Sequence, residues 1–285
     1  MNQIQWYPGH MKKTRELIKS HLGAVDLVLE VCDARIPKAS RSPILDELIG
    51  TRPRLILLNK SDLADPGQTK AWVRSFSSEE GCRVLALNSM SGDGIGALLS
   101  ELNKIEENRK KQGTGQKFQR HLRMMIVGSP NVGKSSLINR LTKRKSAKTG
   151  DRPGVTRGKQ WLTLSNGMQL LDTPGILAPK LKDQEIALHL AYCGSIRDEI
   201  MDIQDLGYAF LKEMRVRYPE NLKKRYQIED PEADPLMLMK WIAKKRGCIL
   251  SGGRIDYERT GHLVIEDFRS GKLGRITLDK APEFD

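Results

Sequence analysis

Apolar positions fall in short runs over the first 178 residues and at helical spacing after them. The runs AVDLVLEVCDAR (24–35), RLILLNKSD (54–62) and CRVLALNS (82–89) are rich in Val, Leu and Ile and break into polar loops, as strands buried on both faces of a parallel sheet do. Between them SPILDELIG (42–50) and GQTKAWVRSFSSEEG (67–81) read as helices, and IGALLSELNKIEENRKKQG (95–113) as a helix fading into a basic linker. Met11, Leu17, Ile18 and Leu22 have helical spacing near the N-terminus. RMMIVGS (123–129), a helical SSLINRLTK (135–143), a Gly/Pro/Lys loop (144–158) and the strand candidates QWLTLS (160–165) and MQLLDT (168–173) follow. Asn166-Gly167 predicts a type I′ hairpin turn between the last two. The alternation is that of an α/β fold with a mostly parallel sheet.

From about residue 179 the strand signal stops. Segments 183–193, 205–218, 234–246 and 257–269 have helical spacing. Asp234-Pro235 and Gly247 supply an N-cap, a first-turn proline and a C′ glycine for the third, and Asp256 a cap for the fourth. Two domains are expected: 1–178, including an N-terminal segment 1–22, and a smaller all-helical domain over 179–285.

GSPNVGKSS (128–136) follows an apolar strand and opens a helical run. It fits G-x-x-x-x-G-K-[ST], a loop whose glycines let backbone N–H groups converge on phosphate oxygens at a helix N-terminus. Asn131, Val132, Gly133, Lys134, Ser135 and Ser136 are the expected phosphate contacts, with Lys134 reaching the β/γ-phosphates and Ser135 on Mg²⁺. Asp172-Thr173-Pro174-Gly175 ends the last strand. An acid there suits Mg²⁺ held through water, with the Gly175 N–H sensing a γ-phosphate. Asn59-Lys60-Ser61-Asp62 ends RLILLNKSD. The Asp62 carboxylate can accept from both guanine N1–H and N2–H₂, a donor pair adenine lacks, while Asn59 braces the base region and Lys60 lies along the ring.

These are the elements of a TRAFAC-class GTPase in an unusual order, since NKSD precedes the phosphate loop and DTPG. With QWYPGHM (5–11), CDARIP (32–37) and the basic helical tail, essentially the whole chain resembles the circularly permuted GTPases of the ribosome biogenesis GTPase A family, assembly factors of the bacterial large ribosomal subunit. The resemblance implies a circularly permuted P-loop GTPase domain followed by a helical RNA- and ribosome-binding domain. It places switch I at PGVTR (153–157), with Thr156 on Mg²⁺ and the γ-phosphate. It aligns Asn88-Ser89-Met90 with the usual S-A-K triplet, so that a Ser89 backbone N–H meets guanine O6. It also implies a K⁺ site at Asn131.

Ile176 stands where Ras-like enzymes keep a water-orienting glutamine, so intrinsic hydrolysis is expected to be slow. The resemblance makes His10 the leading substitute, since imidazole can hydrogen-bond a water near neutral pH. The expected function is GTP-driven assembly of the 50S subunit, with rRNA bound in the GTP form and release after ribosome-stimulated hydrolysis. The competing expectations are an RNA-binding assembly chaperone with a structural, non-cycling nucleotide site, and an ATP-using P-loop enzyme.

Charge sharpens the choice of partner. The chain has 285 residues and a net charge of +13, which alone speaks of solubility and non-specific attraction. Residues 103–123 carry seven basic and two acidic side chains, 143–159 seven and one, and 240–254 five and none, leaving the remainder at −3. Lys143, Arg144, Lys145 and Lys148 beside switch I, and Lys240, Lys244 and Lys245 near Trp241, are the expected RNA contacts. Cys32, Cys82, Cys193 and Cys248 form no CxxC pair, so no zinc module or disulfide scaffold is indicated. No apolar stretch approaches a membrane span, and the N-terminal segment lacks the apolar region of a signal peptide. A cytoplasmic, monomeric protein without a membrane partner is expected.

Overall fold

The computed structural model describes residues 10–113, 115–142, 161–177 and 183–282, without the side chains of His10, Gln116 and Lys117. The expected strands form one six-stranded sheet: β1 (Leu27–Asp33), β2 (Arg54–Asn59), β3 (Cys82–Ala86), β4 (Arg123–Val127), β5 (Trp161–Thr163) and β6 (Gln169–Asp172), in the order β3-β2-β1-β4-β6-β5. All neighbours pair in parallel except β5, which runs antiparallel to β6. Every residue of β1 and β2 is buried, which is why these strands read as runs rich in Val, Leu and Ile without polar alternation. Glu30, the carboxylate in the middle of β1, is held by Arg54 at 3.1 Å and Arg41 at 3.8 Å.

The same chain segment supplies α1 (His10–His21), α2 (Pro37–Ser40), α3 (Pro43–Ile49), α4 (Pro66–Ser77), α5 (Ile95–Gln112), α6 (Gln116–Gln119) and α7 (Lys134–Thr142). Strand residues alternate between two apolar layers, as a period of two requires. Leu27, Leu29, Val31, Leu55 and Leu57 pack with Leu98 and Leu102 of α5 and Leu137 and Ile138 of α7. Cys32, Ile56, Leu58 and Val84 pack with Trp72 and Phe76 of α4.

The basic segment 103–123 has an internal use. Arg109 and Arg120 reach Asp26 at 3.0 and 2.6 Å, and the Arg123 N–H donates to the same carboxylate at 2.9 Å. The joint between α5 and β4 is thereby fastened to the residue just before β1.

The hairpin joining β5 to β6 departs from the expected type I′ turn. Of the pair Asn166-Gly167 only Gly167 has positive φ, at 85°, and its N–H donates to Leu164 O at 3.0 Å while Leu164 N–H donates to Met168 O at 2.8 Å. A left-handed glycine closing a three-residue loop twists the strands equally well.

The helices α8 (Gln184–Tyr192), α9 (Ile203–Arg217), α10 (Pro219–Tyr226), α11 (Pro235–Arg246) and α12 (Tyr257–Arg269) form a second compact unit. Its core includes Leu206, Phe210, Met214, Leu222, Tyr226, Leu238, Ile242, Val264 and Phe268, all buried. Among the described residues, this unit spans 183–276, and the sheet unit holds 10–177 together with 277–282. The sequence placed 277–282 with the helical domain. The structure corrects this, because Thr277, Leu278, Asp279 and Ala281 are buried by the sheet unit through main-chain and side-chain hydrogen bonds.

Candidate nucleotide site

In an open α/β sheet, ligands bind beyond the carboxyl ends of the strands, where strand order reverses. Here it reverses between β1 and β4. The carboxyl ends of β1, β2, β3, β4 and β6 run into Asp33-Ala34-Arg35, Asn59–Asp62, Leu87–Met90, Gly128–Ser135 and Asp172–Gly175 respectively. The three motifs read from the sequence therefore share one edge of one sheet.

The loops are tied directly to one another. Asn59 Nδ2 donates to Val132 O at 2.8 Å, and Asn59 Oδ1 accepts from Ser89 N–H at 3.0 Å. Lys60, in left-handed backbone, donates from Nζ to Asn131 O at 2.6 Å and lies 3.1 Å from Asp33. Ser129 Oγ donates to Ser40 O at 2.7 Å, joining the phosphate loop to α2. Asp62 is exposed at the rim of this edge. Glycine is required where the loops meet: a Cβ on Gly133, whose φ is +97°, would come within 2.2 Å of Asn59 Nδ2. At Gly175 a Cβ would lie 2.8 Å from Pro130 Cα, so the start of switch II can run against the phosphate loop only as glycine. The next residue, Ile176, is buried and donates its N–H to Gly128 O at 3.1 Å.

The loop after β3 differs in detail from expectation. The Ser89 N–H, expected to face guanine O6, is the donor to Asn59. Asn88 Oδ1 accepts from Met90 N–H and Ser91 N–H at 2.8 and 3.2 Å, folding the loop on itself. Arg140 of α7 braces this loop: its Nε donates to Ser89 O at 3.1 Å and its Nη2 donates to Met90 O.

Two buried charges face each other beneath the phosphate loop. Lys134 donates from Nζ to Gly128 O and Ser129 O at 3.0 and 2.6 Å. Burial pushes its pKa down to about 8, with the Asp172 carboxylate opposing the shift. Burial likewise raises Asp172 to about 6, with Lys134 pulling it back. Asp172 Oδ1 is buried without a hydrogen-bond partner among the described residues. A buried acceptor left unmatched is costly, and one facing Lys134 at the start of α7 suits a cation and its water. Asp33 differs: burial would raise its pKa, but the buried Arg35 guanidinium, donating from Nε and Nη2 at 2.9 and 2.8 Å, and Lys60 hold it well below the usual carboxylate range.

Asp33 and Arg140 are the residues that sequence reasoning missed. Asp33 carried a signal, since it ends the strand paired with the one ending in Asn59, and the two are register partners. Arg140 carried none, because its contacts are about fifty positions away along the chain. Thr156, Lys143, Arg144, Lys145 and Lys148 lie outside the described residues, as does the side chain of His10, whose backbone opens α1. On α11 Lys244 and Lys245 are exposed and Lys240 half-buried, and Lys245 donates to Gln227 O. Trp241 is half-buried. In the same helical unit a cleft of about 740 Å³ is lined by Lys224, Arg225, Arg246 and Lys272 with Glu220 as its one acid. The one His/carboxylate cluster found among the described residues, Glu185, His189 and Glu213, already carries Arg217 between its glutamates at 3.2 and 3.3 Å. No helix among the described residues is long and apolar enough to cross a membrane.

Comparison with known proteins gives the same picture. A family model described as "50S ribosome-binding GTPase" matches residues 123–233, starting at β4 and leaving Asn59–Asp62 upstream. Ribosome biogenesis GTPase A of Bacillus pumilus (strain SAFR-032) is 45% identical over 97% of this chain and 98% of its own length. That of Thermotoga maritima is 34% identical over 97% and 94%. The crystal structure of GNP-bound YlqF from T. maritima superposes with a TM-score of 0.68 at 32% identity, covering 95% of this chain and 100% of that one. With its guanine motif ahead of its phosphate loop on a shared sheet edge, the chain is a circularly permuted P-loop GTPase and belongs to the ribosome biogenesis GTPase A family.

Proposed function

We propose that this GTPase is an assembly factor for the large (50S) ribosomal subunit, acting as a monomer in the cytoplasm. Its GTP form docks on rRNA and ribosomal proteins of the immature subunit, hydrolysis is stimulated there, and the GDP form leaves. The observation that carries the cycling part is the Asn59 carboxamide, which links the guanine-reading loop, the phosphate loop and the loop after β3. A purely structural nucleotide site would need no such coupling. The ribosomal part is supported by the names of the relatives at 45% and 34% identity.

In this reading Asp62 selects guanine by accepting from N1–H and N2–H₂, with Lys60 along the ring and the loop after β3 enclosing the base. Lys134 turns from the carbonyls of Gly128 and Ser129 to the β/γ-phosphates, whose negative charge restores the solvation that burial removed. The backbone N–H groups of 131–136 hold the phosphates at the N-terminus of α7. Ser135, Thr156 and, through water, Asp172 would hold Mg²⁺, which neutralises charge on the transferring phosphoryl group. Asn131 is the residue for a K⁺ beside the phosphates. Ile176 has no group to orient water, and His10 takes that role. The γ-phosphate is sensed by the Gly175 N–H and Thr156, so its loss releases both switches.

RNA is engaged by Lys143, Arg144, Lys145 and Lys148 next to switch I and by Lys240, Lys244 and Lys245 on α11. The cationic cleft between α10 and the end of α12 offers the phosphate backbone a further seat. The test is single-turnover GTP hydrolysis with and without large subunits. Acceleration by the subunit is expected, and equal rates overturn the ribosome-stimulated cycle.

A further inference from the structure

The last described residues, 277–282, form a strap across the sheet unit. Leu278 N–H donates to Arg35 O at 2.7 Å. Thr277 Oγ1 donates to Ala34 O at 3.3 Å and accepts from Asp65 N–H at 3.0 Å. Asp279 Oδ2 accepts from Ala39 N–H at 2.7 Å, and its carbonyl accepts from Trp72 Nε1 at 3.0 Å. Ala281 N–H donates to Gln68 Oε1 at 3.0 Å, and its methyl group completes the apolar layer of Ile56, Leu58, Trp72 and Phe76.

These anchors flank the guanine-reading loop on both sides. Asp65 lies three residues beyond Asp62 and caps α4 through Gln68 N–H at 2.8 Å. Ala34 and Arg35 follow Asp33, whose carboxylate is fixed by Arg35 and in turn holds Lys60. Ala34, Arg35, Ala39, Asp65, Gln68 and Trp72, to which these bonds run, are not residues expected to meet the nucleotide. The strap sets the positions of Lys60 and Asp62 through the residues that bear on them. A recognition loop pinned at both ends needs less ordering when the base arrives, which shows as slower release.

We infer that Thr277 and Asp279 are positioning residues for guanine recognition, so that the lifetime of bound GDP or GTP depends on a docked strap. This rests only on the chain being a GTPase and is independent of any ribosomal role. By linkage, if the strap slows nucleotide release by lowering the free energy of the bound state, the nucleotide must stabilise the docked strap by the same factor.

The test uses the full chain and a fluorescent GDP analogue. Thr277→Val and Asp279→Ala are each expected to release it about 10-fold faster and to raise KM for GTP with intrinsic kcat unchanged. Thr277→Ser and Asp279→Asn, which keep the accepting oxygens, are expected to restore wild-type release. Trp72 emission, read in a chain with Trp6, Trp161 and Trp241 replaced by Phe, reports whether the strap is docked. Hydrogen exchange at the Leu278 and Ala281 amides is expected to slow on GDP binding. The proposal is overturned if release stays at the wild-type rate while Trp72 reports an undocked strap. It is also overturned if kcat falls with KM unchanged, or if GDP leaves exchange at both amides as it was. Thr277→Val removes a single hydroxyl from a buried site, so it keeps the test decisive even where Asp279→Ala does not fold.

Discussion

The Asn59 carboxamide nitrogen donates to the carbonyl oxygen of Val132 at 2.8 Å, across 73 positions of sequence. With its oxygen accepting from Ser89, this one side chain satisfies two buried backbone groups on two other loops. Asn59→Ala leaves both unmatched at about 1–3 kcal/mol each. Thermal unfolding should shift down accordingly, and titration calorimetry with GDP should show affinity falling by at least tenfold.

Asp33 carries a dependence on acid. Its folded pKa lies below the unfolded value, so the stability it supplies is fully present above about pH 4 and is lost as pH falls through the folded pKa. Asp33→Asn removes the anion from beside the buried Arg35 guanidinium and from Lys60, a loss of about 3–5 kcal/mol at neutral pH. Urea unfolding of both proteins from pH 7 to pH 3 should show that gap narrowing only below about pH 4. A gap constant over that range refutes the assignment.

Base selectivity belongs to Asp62. Asp62→Asn replaces an acceptor by an amide that suits a xanthine ring, and each mismatched group on guanine costs about 1–3 kcal/mol. Competition between GTP and XTP in hydrolysis should move toward XTP by at least tenfold, whereas unchanged guanine preference would remove Asp62 from the base pocket.

His10 is expected to act on the stimulated reaction and not on binding. His10→Ala should lower subunit-stimulated turnover by about 10²-fold or more while leaving affinity for a non-hydrolysable GTP analogue unchanged. A drop in affinity of the same size would make the residue a binding group.

Much of the fold was written in local pattern. Asp234 caps α11 through Leu236 N–H at 2.9 Å, Gly247 ends it in left-handed backbone, and Asp256 caps α12 through Arg259 N–H at 2.9 Å, all as the residue types require. The phosphate loop, NKSD and DTPG were legible because each must sit at the end of an apolar strand. What escaped were features with no local period. In α10 only Leu222 and Tyr226 are buried, too few positions to mark a helix among Lys223, Lys224 and Arg225. The Arg140 bracing and the 277–282 strap depend on partners brought close only by the finished sheet, and the run ITLDKA has no amphipathic spacing. The Asn166-Gly167 turn was placed correctly but typed wrongly, since glycine alone supplies the positive φ.

Because the sheet unit takes up the chain again at Thr277, the helical unit is an insertion within it and not an appendage to it. A stop codon placed after Leu177 would thus strip the described residues 277–282 from the sheet unit's own packing along with the helices, and any defect would mix two causes. An internal excision that rejoins residue 177 to residue 277 through a flexible bridge removes the helices alone. Comparing the two deletions separates what the helical unit contributes from what residues 277–282 contribute to the sheet unit.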